Sequence, residues 1–99
     1  MEKWLYVMLI EKTKQYNRLT KAMIERHVEN LKKLDEEGHL ELGGAFKGYP
    51  GMAGMYILKA ASYEEADALC KAEPLVVEGF ATYQLRALQV ADKETNYLL

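Results

Sequence analysis

The first apolar run of the chain, Trp4-Leu-Tyr-Val-Met-Leu-Ile10, is continuous rather than alternating, and the polar stretch Glu11 to Tyr16 ends it. The run has the length of a strand, and its unbroken apolarity predicts burial on both faces. From about Asn17 to Glu37 the period changes. Leu19, Met23, Val28, Leu31 and Leu34 recur at three-, four- and five-residue spacings, with Ile24 beside them. Glu29, Lys32, Lys33, Glu36 and Glu37 lie largely off that stripe, so the segment reads as an amphipathic helix. Gly38 is positioned to cap it, because glycine adopts the left-handed conformation at little cost.

A short strand, His39 to Phe46, leads into Lys47-Gly-Tyr-Pro-Gly51, a strong turn signal. A second apolar strand, Met52 to Ala60, makes the pair a hairpin whose glycines (43, 44, 51 and 54) weaken strand propensity and suggest bulges. Ser62 with Glu65 three residues on forms a capping-box pattern, which predicts a helix from Tyr63 to about Ala72. Pro74 ends it, Leu75 to Gly79 reads as a connector, and Phe80 to Val90 as the last long strand. The tail, Ala91 to Leu99, has no clear period.

The order β-α-β-β-α-β is the split, ferredoxin-like pattern of an α+β fold, with both helices on one face of a four-stranded antiparallel sheet. The strands, however, carry two apolar faces. Leu5, Val7 and Leu9 point one way, and Trp4, Tyr6, Met8 and Ile10 the other; Met55 and Ile57 oppose Tyr56 and Leu58 in the same manner. Two helices cover one face. A second copy of the chain, related by a two-fold axis, is the simplest cover for the other, with long loops or the C-terminal tail as the alternative.

Bulk properties narrow the function classes. Ninety-nine residues give one domain, with a core over 4–90 and a tail over 91–99. A net charge of −2 offers no basic excess for a nucleic-acid backbone. The N-terminal apolar run is too short to span a bilayer and no cleavage site follows it, so the expected address is the cytoplasm. The lone thiol, Cys70, agrees with a reducing compartment and reads as buried and inert.

His27 lies four residues after Met23 and four before Leu31, on the apolar stripe. Two roles fit that position. One is a core histidine satisfied by a single hydrogen bond. The other is a general acid or base lining a cavity between helix and sheet, since imidazole titrates near neutral pH. A base needs an orienting acid. Glu37 is ten residues from His27 along the same helix, about 15 Å and out of reach within one subunit. Glu73, just before Pro74, reaches the first helix only through tertiary structure; spacing alone leaves it between a partner and a solvated side chain. The glycines near 43–54 form no phosphate loop, lacking both GxGxxG and a Walker lysine, but a glycine-rich hairpin permits close backbone approach to a small ligand. His39, expected to be exposed, stands 12 residues from His27 with no Cys or Asp completing a metal-ligand spacing. The seven tyrosines could line a pocket, although aromatic residues in strands are usually core.

The block Arg26-His27-Val-Glu-Asn-Leu31-Lys-Lys-Leu34-Asp-Glu-Glu37-Gly38-His-Leu40-Glu-Leu42-Gly-Gly44 resembles the helix-to-strand signature of the YciI-like family. There a histidine opens the pattern, leucines follow, a Glu-Gly or similar pair ends the helix, and the strand runs into Ala-Gly-Pro. The block from Ser62 through Ala72-Glu73-Pro74-Leu75 to Gly79 resembles the family's Asp-Pro-Phe region. The resemblance covers most of residues 4–90, and the order and spacing of loose motifs carry it. It implies a dimeric α+β barrel, two ferredoxin-like units packed sheet to sheet, and an active site with a histidine and an acidic partner. One related enzyme type removes chloride from a chlorinated hydroxyhydroquinone, and muconolactone isomerases share the wider fold. Two positions depart from the pattern: Glu73 stands where the family has Asp, and Gly43-Gly44-Ala45 where it has Ala-Gly-Pro. The site candidates are then His27 and Glu73 for catalysis and Tyr6, Arg26, Gly43, Gly44 and Tyr56 for ligand contact, with no cofactor and no metal. Two functions stay open: a lyase- or isomerase-type enzyme using His27 on a small cyclic oxygenated substrate, or a non-catalytic homodimeric ligand-binding or accessory module.

Overall fold

The computed structural model describes residues 2–99. In chain order it contains β1 (Trp4–Lys12), a 3₁₀ turn (Tyr16–Arg18), α1 (Lys21–Glu36), β2 (Leu40–Ala45), β3 (Met52–Leu58), α2 (Tyr63–Lys71), α3 (Pro74–Val77), β4 (Ala81–Gln89) and a closing 3₁₀ turn (Asn96–Leu98). The four strands form one antiparallel sheet in the order β2-β3-β1-β4. The α+β class is therefore as the pattern predicts. Among the described residues no helix is long and apolar enough to cross a membrane.

The helix boundaries follow from their caps. Thr20 caps α1, its hydroxyl accepting from the Met23 N–H at 3.2 Å. The helix thus starts four residues later than Asn17, because a capping hydroxyl outranks the apolar period that extends back to Leu19. Gly38, at φ +79°, closes α1 in a Schellman motif: its N–H bonds to Asp35 O and that of His39 to Leu34 O. Ser62 caps α2 by accepting from the Glu65 N–H at 3.1 Å, while the Glu65 carboxylate accepts from the Ala61 N–H at 3.0 Å. The segment expected to be a connector, Leu75 to Gly79, is instead mostly helical. Pro74 ends one helix and begins another, since its fixed φ suits the first helical position as well as it breaks an interior. Of the expected bulges one falls beside a glycine: between Ile10 and Glu11 of β1 the pairing on β3 passes from Gly54 to Met52, whereas the other register shift, between Leu40 and Leu42 on β2, lies away from Gly43 and Gly44.

The core lies between the sheet and the helices. Tyr6, Met8 and Ile10 of β1, Tyr56 and Leu58 of β3 and Ala81 and Leu85 of β4 meet Leu34 of α1, Ala66 and Cys70 of α2 and Leu75 of α3. The opposite face carries Leu5, Val7 and Leu9 beside Met55 and Ile57, with Leu42 at one edge and Leu88 at the other. Those residues are half-buried or exposed in the protomer, so β1 alternates in burial although its sequence does not. The chain beyond β4 turns back on the start of β1, where Lys3 pairs with Asp92 at 2.7 Å. Each holds the other's charge: the Lys3 ammonium is raised and the Asp92 carboxyl lowered from their ordinary values.

Cys70 is fully buried, and burial, then the nearby Asp67 charge, push its thiol up to about 12. Little thiolate exists at neutral pH to attack an electrophile. A colourimetric disulfide reagent at pH 8 is expected to leave native protein unlabelled and to label one thiol per chain once denaturant unfolds it; fast native labelling would contradict this packing.

Candidate active site

His27 sits on the face of α1 that Met23, Leu31 and Leu34 turn toward the sheet, because residues four apart stack along one side of a helix. Glu73 arrives from elsewhere. It lies in extended conformation between α2 and α3 (φ −61°, ψ 124°), as the residue before a proline must. From there its side chain folds back to cap α3, Oε2 accepting from the Leu75 N–H at 2.5 Å. That leaves Oε1 facing α1 and β3. His27 Nδ1 lies 2.5 Å from it, and the Tyr56 hydroxyl donates to it at 2.8 Å. Tyr56 Oη and His27 Nδ1 are themselves 3.0 Å apart, closing a triangle, and the two rings stack with an interplanar angle of 19°.

Burial makes this cluster consequential. Glu73 is 1% exposed, whereas the His27 side chain keeps 23% of its surface. A buried carboxylate is tolerated only when its lone pairs are met, and here a backbone N–H, a phenol and an imidazole meet them. Burial first, then the charge of Glu73, hold the Tyr56 phenol far above its ordinary value, so it stays a donor. With Tyr56 donating and His27 Nδ1–H donating, Oε1 accepts twice, and the imidazole keeps Nε2 as its free lone pair.

His27 and Tyr56 line a cavity of about 230 Å³ between α1, β2, β3 and α3. Gly43 and Gly44 form part of its wall with Gly54 of the neighbouring strand. A Cβ on Gly54 would stand 2.2 Å from the Gly44 carbonyl oxygen, so the two backbones meet there with no room for a side chain. Ile10, Leu31 and Leu75 supply apolar wall.

Of the residues expected at the site, the structure brings together His27, Glu73, Tyr56, Gly43 and Gly44. Tyr6 and Arg26 stand apart from the cavity. Tyr6 lies four residues before Ile10, the β1 residue that lines it, about 13 Å along the strand, and packs edge-on against Tyr63. Arg26 is next to His27 in sequence but a helical step around the axis, exposed, with its guanidinium on Met23 Sδ. His39 bonds to Lys59 O at 2.9 Å and takes no part. Tyr16, one of the seven tyrosines but not singled out as a site candidate, also lines the cavity; its polar surroundings give no periodic signal. Among the described residues no group of three or more His, Cys, Asp or Glu could hold a metal ion.

A family model described as the YCII-related domain matches residues 4–89. The uncharacterised protein YjpA of Bacillus subtilis (strain 168) is 34% identical over 76 residues, which span 77% of this chain and 84% of that protein. Among solved structures, 5-chloro-2-hydroxyhydroquinone dehydrochlorinase of Burkholderia phenoliruptrix AC1100, in complex with 2,5-dihydroxybenzoquinone, superposes with a TM-score of 0.66. It covers 83% of this chain and 90% of its own at 16% identity, a likeness of fold.

Proposed function

The chain belongs to the YCII-related domain family, and from that premise we propose that it is a small lyase- or isomerase-type enzyme in which His27 moves a proton on a cyclic oxygenated substrate. The observation that carries this reading is the contact of buried Glu73 Oε1 with His27 Nδ1 at 2.5 Å, at the wall of a cavity. The superposable neighbour, named as a dehydrochlorinase and bound to a dihydroxybenzoquinone, supports a hydroxylated ring as the substrate class.

In this reading Nε2 takes a proton from the ring, and the electrons of that bond form a new double bond. In an elimination the leaving group departs with its own bonding pair. In an isomerisation the proton returns from Nε2 to a different atom. Either way an imidazolium exists in passing, and Glu73 stabilises it while Tyr56 holds the carboxylate in place. Glu73 is a positioning residue here, and His27 the catalytic one.

Wild type assayed spectrophotometrically against hydroxyquinones, lactones and enol acids is expected to turn over at least one class. His27→Ala should lower kcat by about 10²–10⁴-fold, the usual worth of a general acid or base, with a stability loss of about 1–3 kcal/mol because buried Glu73 loses one of its three donors. An unchanged rate would remove His27 from the chemistry. Saturable binding without turnover across the panel would favour a ligand-binding module instead.

The reading includes a homodimer closed through the apolar sheet face of Val7, Leu9, Met55 and Ile57, and a cytoplasmic location, where a lone thiol such as Cys70 stays reduced.

A further inference from the structure

We infer that Tyr16 selects the ligand in this cavity, and that the ligand is a single uncharged ring with an oxygen beyond the one His27 addresses. The inference rests on the reading of His27 as the proton-transferring group and adds a second contact to it.

Tyr16 lines the cavity, and among the described residues its hydroxyl makes no hydrogen bond. Tyr56, the other tyrosine of the lining, gives its hydroxyl to Glu73. The turn that carries Tyr16 contains no buried residue, so burial does not hold it. Specific bonds do. Thr13 N–H donates to Phe80 O at 3.2 Å and its hydroxyl to Gly79 O at 2.7 Å. The Gln15 N–H donates to that hydroxyl oxygen at 3.2 Å, and the Tyr16 N–H to Thr13 O at 3.1 Å. Lys12 Nζ sits 5.0 Å above the ring centroid. Gly79 and Phe80 lie just past Glu78, the C-cap of α3, the helix whose other end Glu73 caps. The phenol and the acid of the dyad are thus tied to opposite ends of one four-residue helix, which fixes their separation.

Charge and size define the ligand. Among the described residues no Lys or Arg lines the cavity. Arg26 is turned onto Met23, Lys12 covers the Tyr16 ring, and any positive charge on His27 is matched by Glu73. A carboxylate or phosphate would therefore lose hydration without gaining a cation from the cavity wall. At about 230 Å³ the space falls below the roughly 300–1,000 Å³ of pockets for drug-sized ligands and suits one ring, flat against the backbone of Gly43, Gly44 and Gly54.

The test is an NMR titration of wild type, Tyr16→Phe and His27→Ala with three probes: phenol, 1,4-hydroquinone and 2,5-dihydroxybenzoate. Wild type is expected to bind hydroquinone at least about tenfold more tightly than the carboxylate. Tyr16→Phe should weaken hydroquinone about tenfold, the worth of one good hydrogen bond, and leave phenol unchanged. Hydroquinone affinity indifferent to Tyr16→Phe would overturn the role of Tyr16 while leaving His27 standing. Equal affinity for the carboxylate would overturn the uncharged class. Probes that respond to Tyr16→Phe but ignore His27→Ala would instead sink the His27 reading, and no binding of hydroquinone to wild type at millimolar concentration would overturn both.

Discussion

Glu73→Gln is expected to leave the chain folded and to remove nearly all of its proton-transfer activity. Both carboxylate oxygens are acceptors in the structure: Oε2 takes the Leu75 N–H, and Oε1 the Tyr56 hydroxyl and His27 Nδ1. An amide offers one oxygen and one NH₂ group. If the NH₂ faces Leu75, two donors oppose each other and the helix cap is lost, because a backbone N–H cannot reverse its role. If it faces α1, the phenol can rotate and the imidazole can change tautomer, so this arrangement costs less. The ring proton then moves to Nε2, the nitrogen that must be free to act as a base. An acid-to-amide change that switches a catalytic histidine to the wrong tautomer costs about 10⁴-fold in a serine-protease triad; a fall of about 10³–10⁴-fold in kcat is expected here, with a stability loss of only about 1–2 kcal/mol. Glu73→Ala is more severe for the fold. It removes the α3 cap, strands the Leu75 N–H in the interior, leaves the Tyr56 hydroxyl only His27 Nδ1 and opens a cavity, a loss of about 3–5 kcal/mol. In a domain of this size that lowers Tm by roughly 15 °C or more. Nitrogen-15 NMR of the His27 ring separates the two effects: Glu73→Gln should show Nε2–H with a near-native melt. An Nδ1–H tautomer with undiminished turnover would refute the positioning role.

The sequence carried the scaffold further than the site because the two rest on different distances. Apolar periodicity, Gly38 after α1 and Ser62 before α2 act within a few residues, and the strands and both long helices follow from them. Pro74 shows the limit of local reading. It both stops a helix and starts one, and only the Glu73 side chain, folded back as a cap, selects the second role as well. The same carboxylate then spans 46 residues of sequence to reach His27, a separation no spacing rule can measure. Tyr6 and Tyr56 look equivalent in the sequence and face the same side of the sheet. Their partners differ: Tyr56 pairs with Met8, near the His27 side, and Tyr6 with Leu58, toward Tyr63. Tyr16 was illegible for the opposite reason, since a residue held by side-chain and backbone hydrogen bonds outside any periodic element leaves no pattern.

Ile57→Lys is expected to convert a dimer into a folded monomer. Ile57 pairs with Val7 on one neighbouring strand and with Leu42 on the other, at the middle of the face that the helices leave open. In the protomer that face is half-buried or exposed, with Leu42 at 57%, so a lysine there can reach water and the isolated fold keeps its core. In a sheet-to-sheet dimer the two-fold axis doubles the substitution and buries both ammonium groups. Arg86 already stands on this face opposite Val7, and the Glu11 carboxylate there is bonded to Gln84, which also accepts from Arg86. An unpaired buried charge costs about 3–5 kcal/mol; with two per dimer, the dissociation constant should rise by well over about 10³-fold. Sedimentation equilibrium at micromolar concentration reads this directly. Wild type should have the mass of two chains and Ile57→Lys that of one, with unchanged far-ultraviolet circular dichroism. Ile24→Lys is the matched control. Ile24 is an exposed apolar residue on α1, across the sheet from the open face, and the same charge there should leave the dimer intact. If both variants kept the dimer mass, the copies would have to meet through some surface other than the sheet. If only Ile24→Lys dissociated it, the contact would run through the helices that carry His27.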